Sequence, residues 1–244
     1  MTLDPAVAGG PENPGVQAVA TKALEWIADG ARVGLGSGRA ASLFIAKLGL
    51  RRQEGLRILG VPTSQASAST ARAAGIPLIE LDEDVQLDIT VDGADEVAPN
   101  LDLVKGRGGA LVRERIVAAA SRRLVLLVGE EKLVRGLGQR GPVPVEVIPF
   151  ARGVATKQIR ALGLSPILRV NGAGSRPFVS DNGNLTLDCT LPEPIRDRQD
   201  ARELERALRA IAGVVDTGLF LEAAHQVLVG HPDGSVDTLL RDGD

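Results

Sequence analysis

Aromatic residues are almost missing from this chain: tyrosine is absent, and four phenylalanines and one tryptophan make up 2% of 244 residues. The core must therefore be built from Val, Leu, Ile and Ala, and no stacking platform for nucleic-acid bases is available. An excess of positive charge is missing too. Lys and Arg number 28 against 31 Asp and Glu, a formal net charge of −3, where a nucleic-acid surface needs a basic patch. Cys189 is the one cysteine, so no intrachain disulfide can form and a cytosolic setting is expected. No apolar run approaches the roughly 18–20 residues that span a membrane. The N-terminal "MTLDPAVAGGPENPG" lacks the basic start and apolar run of a signal peptide, and its prolines and glycines predict a flexible arm over residues 1–15. The expectation is a cytoplasmic, unprocessed protein that binds neither nucleic acid nor membrane.

What is present is an ordinary globular composition, 44% hydrophobic and 24% charged. After a helical pattern over Val16–Ala28, "ARVGLGSGRAASLFIAKLG" reads as strand, glycine loop and helix. "LRILGVPTS", "IPLIEL", "LDITVDGAD" and "RRLVLLVGEEKLV" add apolar strands, separated by helices. Continuous apolar strands alternating with helices predict a doubly wound, mostly parallel α/β sheet of Rossmann-like type over residues 16–141, completed by 214–244. Near "GQRGPVPVEVIPF" the pattern changes, and residues 142–213 read as a smaller α+β domain. Its order is strand, helix, strand, hairpin, helix and then a strand from Val214, the ferredoxin-like split βαβ. The hairpin tip "DNGN" carries an Asn-Gly turn signal, and Leu204, Leu208 and Ile211 form one helical stripe. "QVLVG" and "SVDTLL" are expected to return as strands to the first domain.

Chemistry concentrates in "LDITVDGADEVAPNLDLVKGRGGALVRERI", residues 87–116. Ligands of open α/β sheets bind beyond the carboxyl ends of the strands, where Asp92 and Asp95 are expected. Lys105 ends another strand, and the glycines after it open a helix. Taken singly, Asp92-Gly93 reads equally well as a turn and Lys105 as a solvated lysine. Glu114 has Ala110, Leu111, Val117 and Ala118 as its helix neighbours, so its carboxylate lies on an apolar stripe. Desolvation of that kind raises a carboxyl pKa towards the range of a general base. The competing reading is an exposed Glu114 balanced by Arg113 and Arg115. The loop Gly34, Gly36, Ser37 and Gly38 suits a phosphate or a simple tight turn. It lacks the dinucleotide spacing, and the next strand ends without an acid, so NAD is not expected. Base, acids, lysine and loop on one rim fit aldose–ketose isomerisation through an enediolate, with Lys105 or backbone N–H groups as oxyanion donors. Asp92, Asp95 and Glu96 could hold Mg²⁺, yet His225 and His231 offer no metal cage and no metal is expected.

Ordered along nearly the whole chain, "GLGSG" at 34–38, "VPTS" at 61–64, "DGADEV" at 92–97, "KGRGGALVRE" at 105–114, "EEKLV" at 130–134, "PVEVIPF" at 144–150, "DNGN" at 181–184 and "GLF" at 218–220 resemble the ribose-5-phosphate isomerase A family. The resemblance implies interconversion of D-ribose 5-phosphate and D-ribulose 5-phosphate in the pentose phosphate pathway, without a cofactor. It implies Glu114 as proton acceptor, Asp92 and Asp95 on sugar hydroxyls and in ring opening, and Lys105 on the enediolate. Ser37, Gly38, Arg39, Ala40, Gly93, Ala94, Gly106, Arg107, Gly108 and Lys132 are the implied substrate-binding set. A homodimer or homotetramer is implied as well.

The chain departs from the family in its glycine loop, where Arg39 and Ala40 stand in place of a Ser-Thr pair. Two hydroxyl donors are lost and a guanidinium suited to phosphate is gained. Arg107 occupies a position where glycine is frequent. Two other readings compete: a coenzyme A transferase relative using Glu114 as nucleophile, and a non-catalytic sugar-phosphate sensor. A sensor could dispense with the base, which this chain has.

Overall fold

The structure, a computed structural model, describes residues 13–172 and 176–241. Most of the expected N-terminal arm, residues 1–12, lies outside the described residues; Asn13 already caps the first helix, accepting from the Gly15 and Val16 N–H groups. The elements begin with α1 (Pro14–Ala23), β1 (Ala31–Leu35), α2 (Gly38–Gln53), β2 (Ile58–Pro62), α3 (Gln65–Ala73) and β3 (Ile89–Gly93). Then come β4 (Glu96–Val97), β5 (Leu103–Val104), α4 (Leu111–Ala119), β6 (Leu124–Gly129), β7 (Val143–Val147), α5 (Arg152–Ala161) and β8 (Ser165–Leu168). The chain ends with β9 (Val170–Asn171), β10 (Arg176–Pro177), β11 (Leu185–Thr190), α6 (Arg198–Arg209), β12 (Val214–Thr217), β13 (Leu219–Phe220), β14 (Gln226–Gly230) and β15 (Val236–Leu240). It is an α/β protein with a mostly parallel six-stranded sheet and smaller antiparallel sheets.

Two compact units divide the chain. The first takes the residues up to Gly93, Ile116–Lys132 and those from Ala224 onward. Its sheet runs β15-β14-β6-β3-β1-β2, parallel throughout except for β15 at the edge. Val33, Leu35, Val91, Val125 and Leu127 from its strands pack against Val19, Phe44, Ile45 and Leu48 from α1 and α2, all buried. Aliphatic residues thus fill this core around a single phenylalanine, as the scarcity of aromatics requires. "IPLIEL" departs from its expected strand. It makes one bridge, Leu78 to Gly60, because Pro77 has no N–H to continue a ladder at this edge.

The second unit comprises Ala94–Arg115 and Leu133–Ala223. It therefore takes residues 94–115, which the sequence had grouped with the parallel sheet. A four-stranded antiparallel sheet runs β12-β7-β11-β8, so Val214–Thr217 stands in this sheet. Val145, Val147, Leu185 and Leu187 from its strands pack with Ala155, Ile159 and Leu208 from α5 and α6. A separate three-stranded sheet, β13-β5-β4, carries Lys105 at the end of β5. The lysine strand is therefore outside the parallel sheet. Two residues long and mixed with loop, it has too little period to reveal its sheet from sequence. The DNGN turn closes as expected, with Gly183 at φ +80° and Ser180 N–H bonded to Asn184 O. Only its second arm becomes a strand: β11 pairs on both sides with β7 and β8, and the first arm is left with a single bridge, Val179 to Leu185.

Candidate active site

In the first unit the expected residues gather where β1 and β3 end. Asp92, only 1% exposed, follows the apolar run of β3, and its Oδ1 accepts the N–H groups of Ser37 (2.9 Å) and Gly93 (2.7 Å). Gly36 is required there: a Cβ would fall 2.3 Å from Asp92 Oδ1. Ser37 is the N-cap of α2, yet its side chain makes no capping bond. Its hydroxyl instead meets Thr63 Oγ1 at 2.7 Å and Ser64 Oγ at 3.0 Å. The helix start is thus open to an anion, lined by hydroxyls and by backbone N–H groups. Gly38 (φ +83°), Arg39 and Ala40 form its first turn, with Arg39 exposed. Thr63 and Ser64 were missing from the expected site residues, although "VPTS" after β2 was the signal. Lys132 lies half-buried in the turn Glu130–Lys132 after β6.

In the second unit Lys105 Nζ stands 3.5 Å from Glu114 Oε2, with side-chain exposures of 4% and 7%. Glu114 is therefore buried, which decides against the exposed alternative. Its neighbours fix the helix instead of bathing in solvent. Arg113 donates to Asn182 Oδ1 and Asp181 O (both 2.9 Å), reaching the DNGN turn. Arg115 donates to Thr217 O and Leu219 O (2.9 and 2.8 Å) and pairs with Asp216 at 2.5 Å. Projecting about 100° to either side of Glu114, the two arginines set the rotation of α4 and hence the direction of the carboxylate.

Lys105 is held as firmly. Its N–H donates to Gly218 O (2.9 Å), and its Nζ lies 5.7 Å from the Phe220 ring centroid, while the Arg115 guanidinium covers the same ring at 4.1 Å. The "GLF" stretch thus seats the lysine through backbone and ring together. Glu205, near Arg115, has its pKa raised by burial, against the lowering pull of Arg115 and Arg209. Asp95 Oδ2 accepts the Arg107 N–H at 2.9 Å. The Arg107 guanidinium turns onto the fully buried Glu96 (2.9 Å), which also accepts the Gly138 and Arg140 N–H groups. Glu96 is therefore a structural brace. Among the described residues, no cluster of three or more His, Cys, Asp and Glu could hold a metal ion. His225 Nδ1 accepts the Leu124 N–H, and His231 pairs with Glu130 and Asp237.

A family model for ribose 5-phosphate isomerase A (phosphoriboisomerase A) matches residues 59–234. The chain belongs to the ribose 5-phosphate isomerase A family. The ribose-5-phosphate isomerase A of Roseiflexus castenholzii is 44% identical, over 89% of this chain and 92% of that one. Its counterpart in Deinococcus radiodurans is 45% identical, over 88% and 93%. The solved structure of ribose 5-phosphate isomerase A from Methanocaldococcus jannaschii superposes with a TM-score of 0.86 at 40% identity, covering 94% of this chain and all of that one. A D-ribose-5-phosphate isomerase in complex with phospho-erythronic acid matches with a TM-score of 0.86 at 39% identity, over 93% and 97%.

Proposed function

We propose that Lys105 and Glu114 carry the proton transfer by which this chain interconverts ribose 5-phosphate and ribulose 5-phosphate. The observation that carries the reading is the buried 3.5 Å approach of their charged ends. In the open-chain aldose, Glu114 takes the proton from C2, and the C–H electron pair becomes the C1–C2 double bond of an enediolate. Lys105 and the backbone donors after it stabilise the oxygen that gains charge. Glu114 then returns the proton to C1, while the C2 hydroxyl gives up its proton to O1 and becomes the ketone. Every electron pair stays within the sugar, so no oxidant or cofactor enters this scheme.

In the same reading Asp92 and Asp95 hold sugar hydroxyls and assist ring opening. The uncapped start of α2, with Ser37, Gly38, Arg39 and Ala40, receives the phosphate. Gly93, Ala94, Gly106, Arg107, Gly108 and Lys132 complete the substrate contacts. An analogue such as phospho-erythronic acid, bound by the relative, is expected to compete with the sugar phosphate here.

The parallel sheet is read as a doubly wound Rossmann-like domain, and the four-stranded sheet with α5 and α6 as a ferredoxin-like one. A homodimer or homotetramer is part of the proposal, supported by apolar side chains left in solvent at Phe150 (98% exposed), Val154 and Ile167. A cytoplasmic setting is supported by the single, buried cysteine. Among the described residues, no helix is long and apolar enough to cross a membrane.

The test is direct: chelator-treated protein is given ribose 5-phosphate, and ribulose 5-phosphate is measured. A sensor would bind without converting it, and a coenzyme A transferase would instead label Glu114 from a thioester.

A further inference from the structure

An enediolate needs more than one donor, and the turn after Lys105 is held in a way that supplies another. We infer that Arg169 is a positioning residue for the isomerisation: it turns the peptide planes of the Gly106–Gly109 loop so that the Gly108 N–H is presented to the substrate oxygen. The inference rests on the reading of Lys105 and Glu114 above.

Arg169 follows β8, far from the loop in sequence, and its side chain is 13% exposed. One guanidinium nitrogen, Nη1, donates to two successive carbonyls, Gly106 O at 2.9 Å and Arg107 O at 3.1 Å. The other edge of the fork is fixed by Asp188, with Nε to Oδ2 at 3.0 Å and Nη2 to Oδ1 at 2.5 Å. A bidentate carboxylate leaves the guanidinium plane little freedom, so the carbonyls it holds are fixed too. Phe178 adds a second surface. Its ring lies 5.6 Å from the guanidinium and fills the space beside Gly109, where a Cβ would come within 2.1 Å of it.

Consequences follow from the planar trans peptide, in which carbonyl and N–H point in opposite directions. The Gly106–Arg107 peptide is gripped at both ends, its carbonyl by Arg169 and its N–H by Asp95 Oδ2 at 2.9 Å. In the next peptide the Arg107 carbonyl faces Arg169, so the Gly108 N–H faces away. That N–H makes no backbone hydrogen bond among the described residues, and a Cβ on Gly108 would meet nothing within 4 Å. A donor with a fixed direction, on an exposed glycine, suits an oxygen that gains charge during reaction. Fixing it beforehand means no reorganisation at the moment of charge transfer. Arg169 touches neither proton nor sugar in this account; it acts through the loop.

The experiment compares full-length wild type with Arg169→Met, Arg169→Lys and Glu114→Gln, measuring kcat, KM and thermal midpoint. A lost transition-state donor lowers kcat and kcat/KM together. Misplacing one should cost roughly 10- to 100-fold in kcat, with KM for ribose 5-phosphate little changed. Arg169→Lys retains a charge beside Asp188 and can reach a carbonyl, so it should stay folded and recover part of the loss. Wild-type kcat in folded Arg169→Met, or a loss carried by KM alone, overturns the inference. Should Arg169→Met fail to fold, a wild-type kcat in Arg169→Lys overturns it equally. Full activity in Glu114→Gln would sink the underlying reading. A crippled Glu114→Gln beside an unaffected Arg169 variant would sink this inference alone.

Discussion

Lys105 and Glu114 face each other at 3.5 Å with almost no solvent on either side chain. Each charge therefore offsets part of the other's cost of leaving water. Removing one partner withdraws a buried ion-pair contact from the other, so Lys105→Met should destabilise the protein by about 3–5 kcal/mol. Lys105→Met combined with Glu114→Leu should recover part of that stability while remaining inactive. Urea unfolding of the single and double variants checks this; equal destabilisation in both would contradict the pairing.

Gly36 leaves no room for a side chain beside Asp92, since a Cβ would sit 2.3 Å from its Oδ1 and 2.5 Å from its Cα. Gly36→Ala must push Asp92 off the Ser37 and Gly93 N–H groups. The expected cost is about 1–3 kcal/mol of overpacking, together with a fall in kcat/KM for ribose 5-phosphate. Gly93→Ala, whose nearest contact would be 3.7 Å away, should cost much less stability. Comparable unfolding midpoints for the two variants would count against this packing account.

His231 provides a pH-dependent element. Its Nδ1 meets Glu130 at 2.7 Å and its Nε2 meets Asp237 at 3.0 Å. The Glu130 bond first, and the Asp237 bond second, hold its pKa above the ordinary 6.5. The folded state thus binds the proton more tightly than the unfolded chain. The stabilisation is fully present below the ordinary value and disappears as pH rises through the elevated one. Wild type should therefore exceed His231→Gln in stability at about pH 6, with the gap closing towards about pH 9. An unchanged gap across that range would show that the imidazolium is not what holds these carboxylates.

Strands β1, β2, β3, β6 and β14 were legible because each is a continuous apolar run, the mark of a sheet buried on both faces. Glu114 was legible for a related reason, as one acid among apolar helix neighbours. Where its flanking arginines reach was not legible, because no local period shows that Arg113 reaches residues 181–182 and Arg115 reaches 216–219. Arg169 and Asp188 left no signal for the same reason: their bonds to each other and to residues 106 and 107 are long-range. Thr63 and Ser64 lay in plain view in "VPTS". What hid their place beside Ser37 was the need to know that β1 and β2 are neighbours in register.

The most direct test of the account is the turnover of ribose 5-phosphate by Glu114→Gln set against wild type. The amide keeps the size of the carboxylate and the packing of the apolar stripe, but cannot accept the C2 proton. The account predicts an active wild type and a folded variant whose kcat is lower by roughly 10²–10⁴. A folded Glu114→Gln with wild-type turnover would contradict it and move the base elsewhere in the protein.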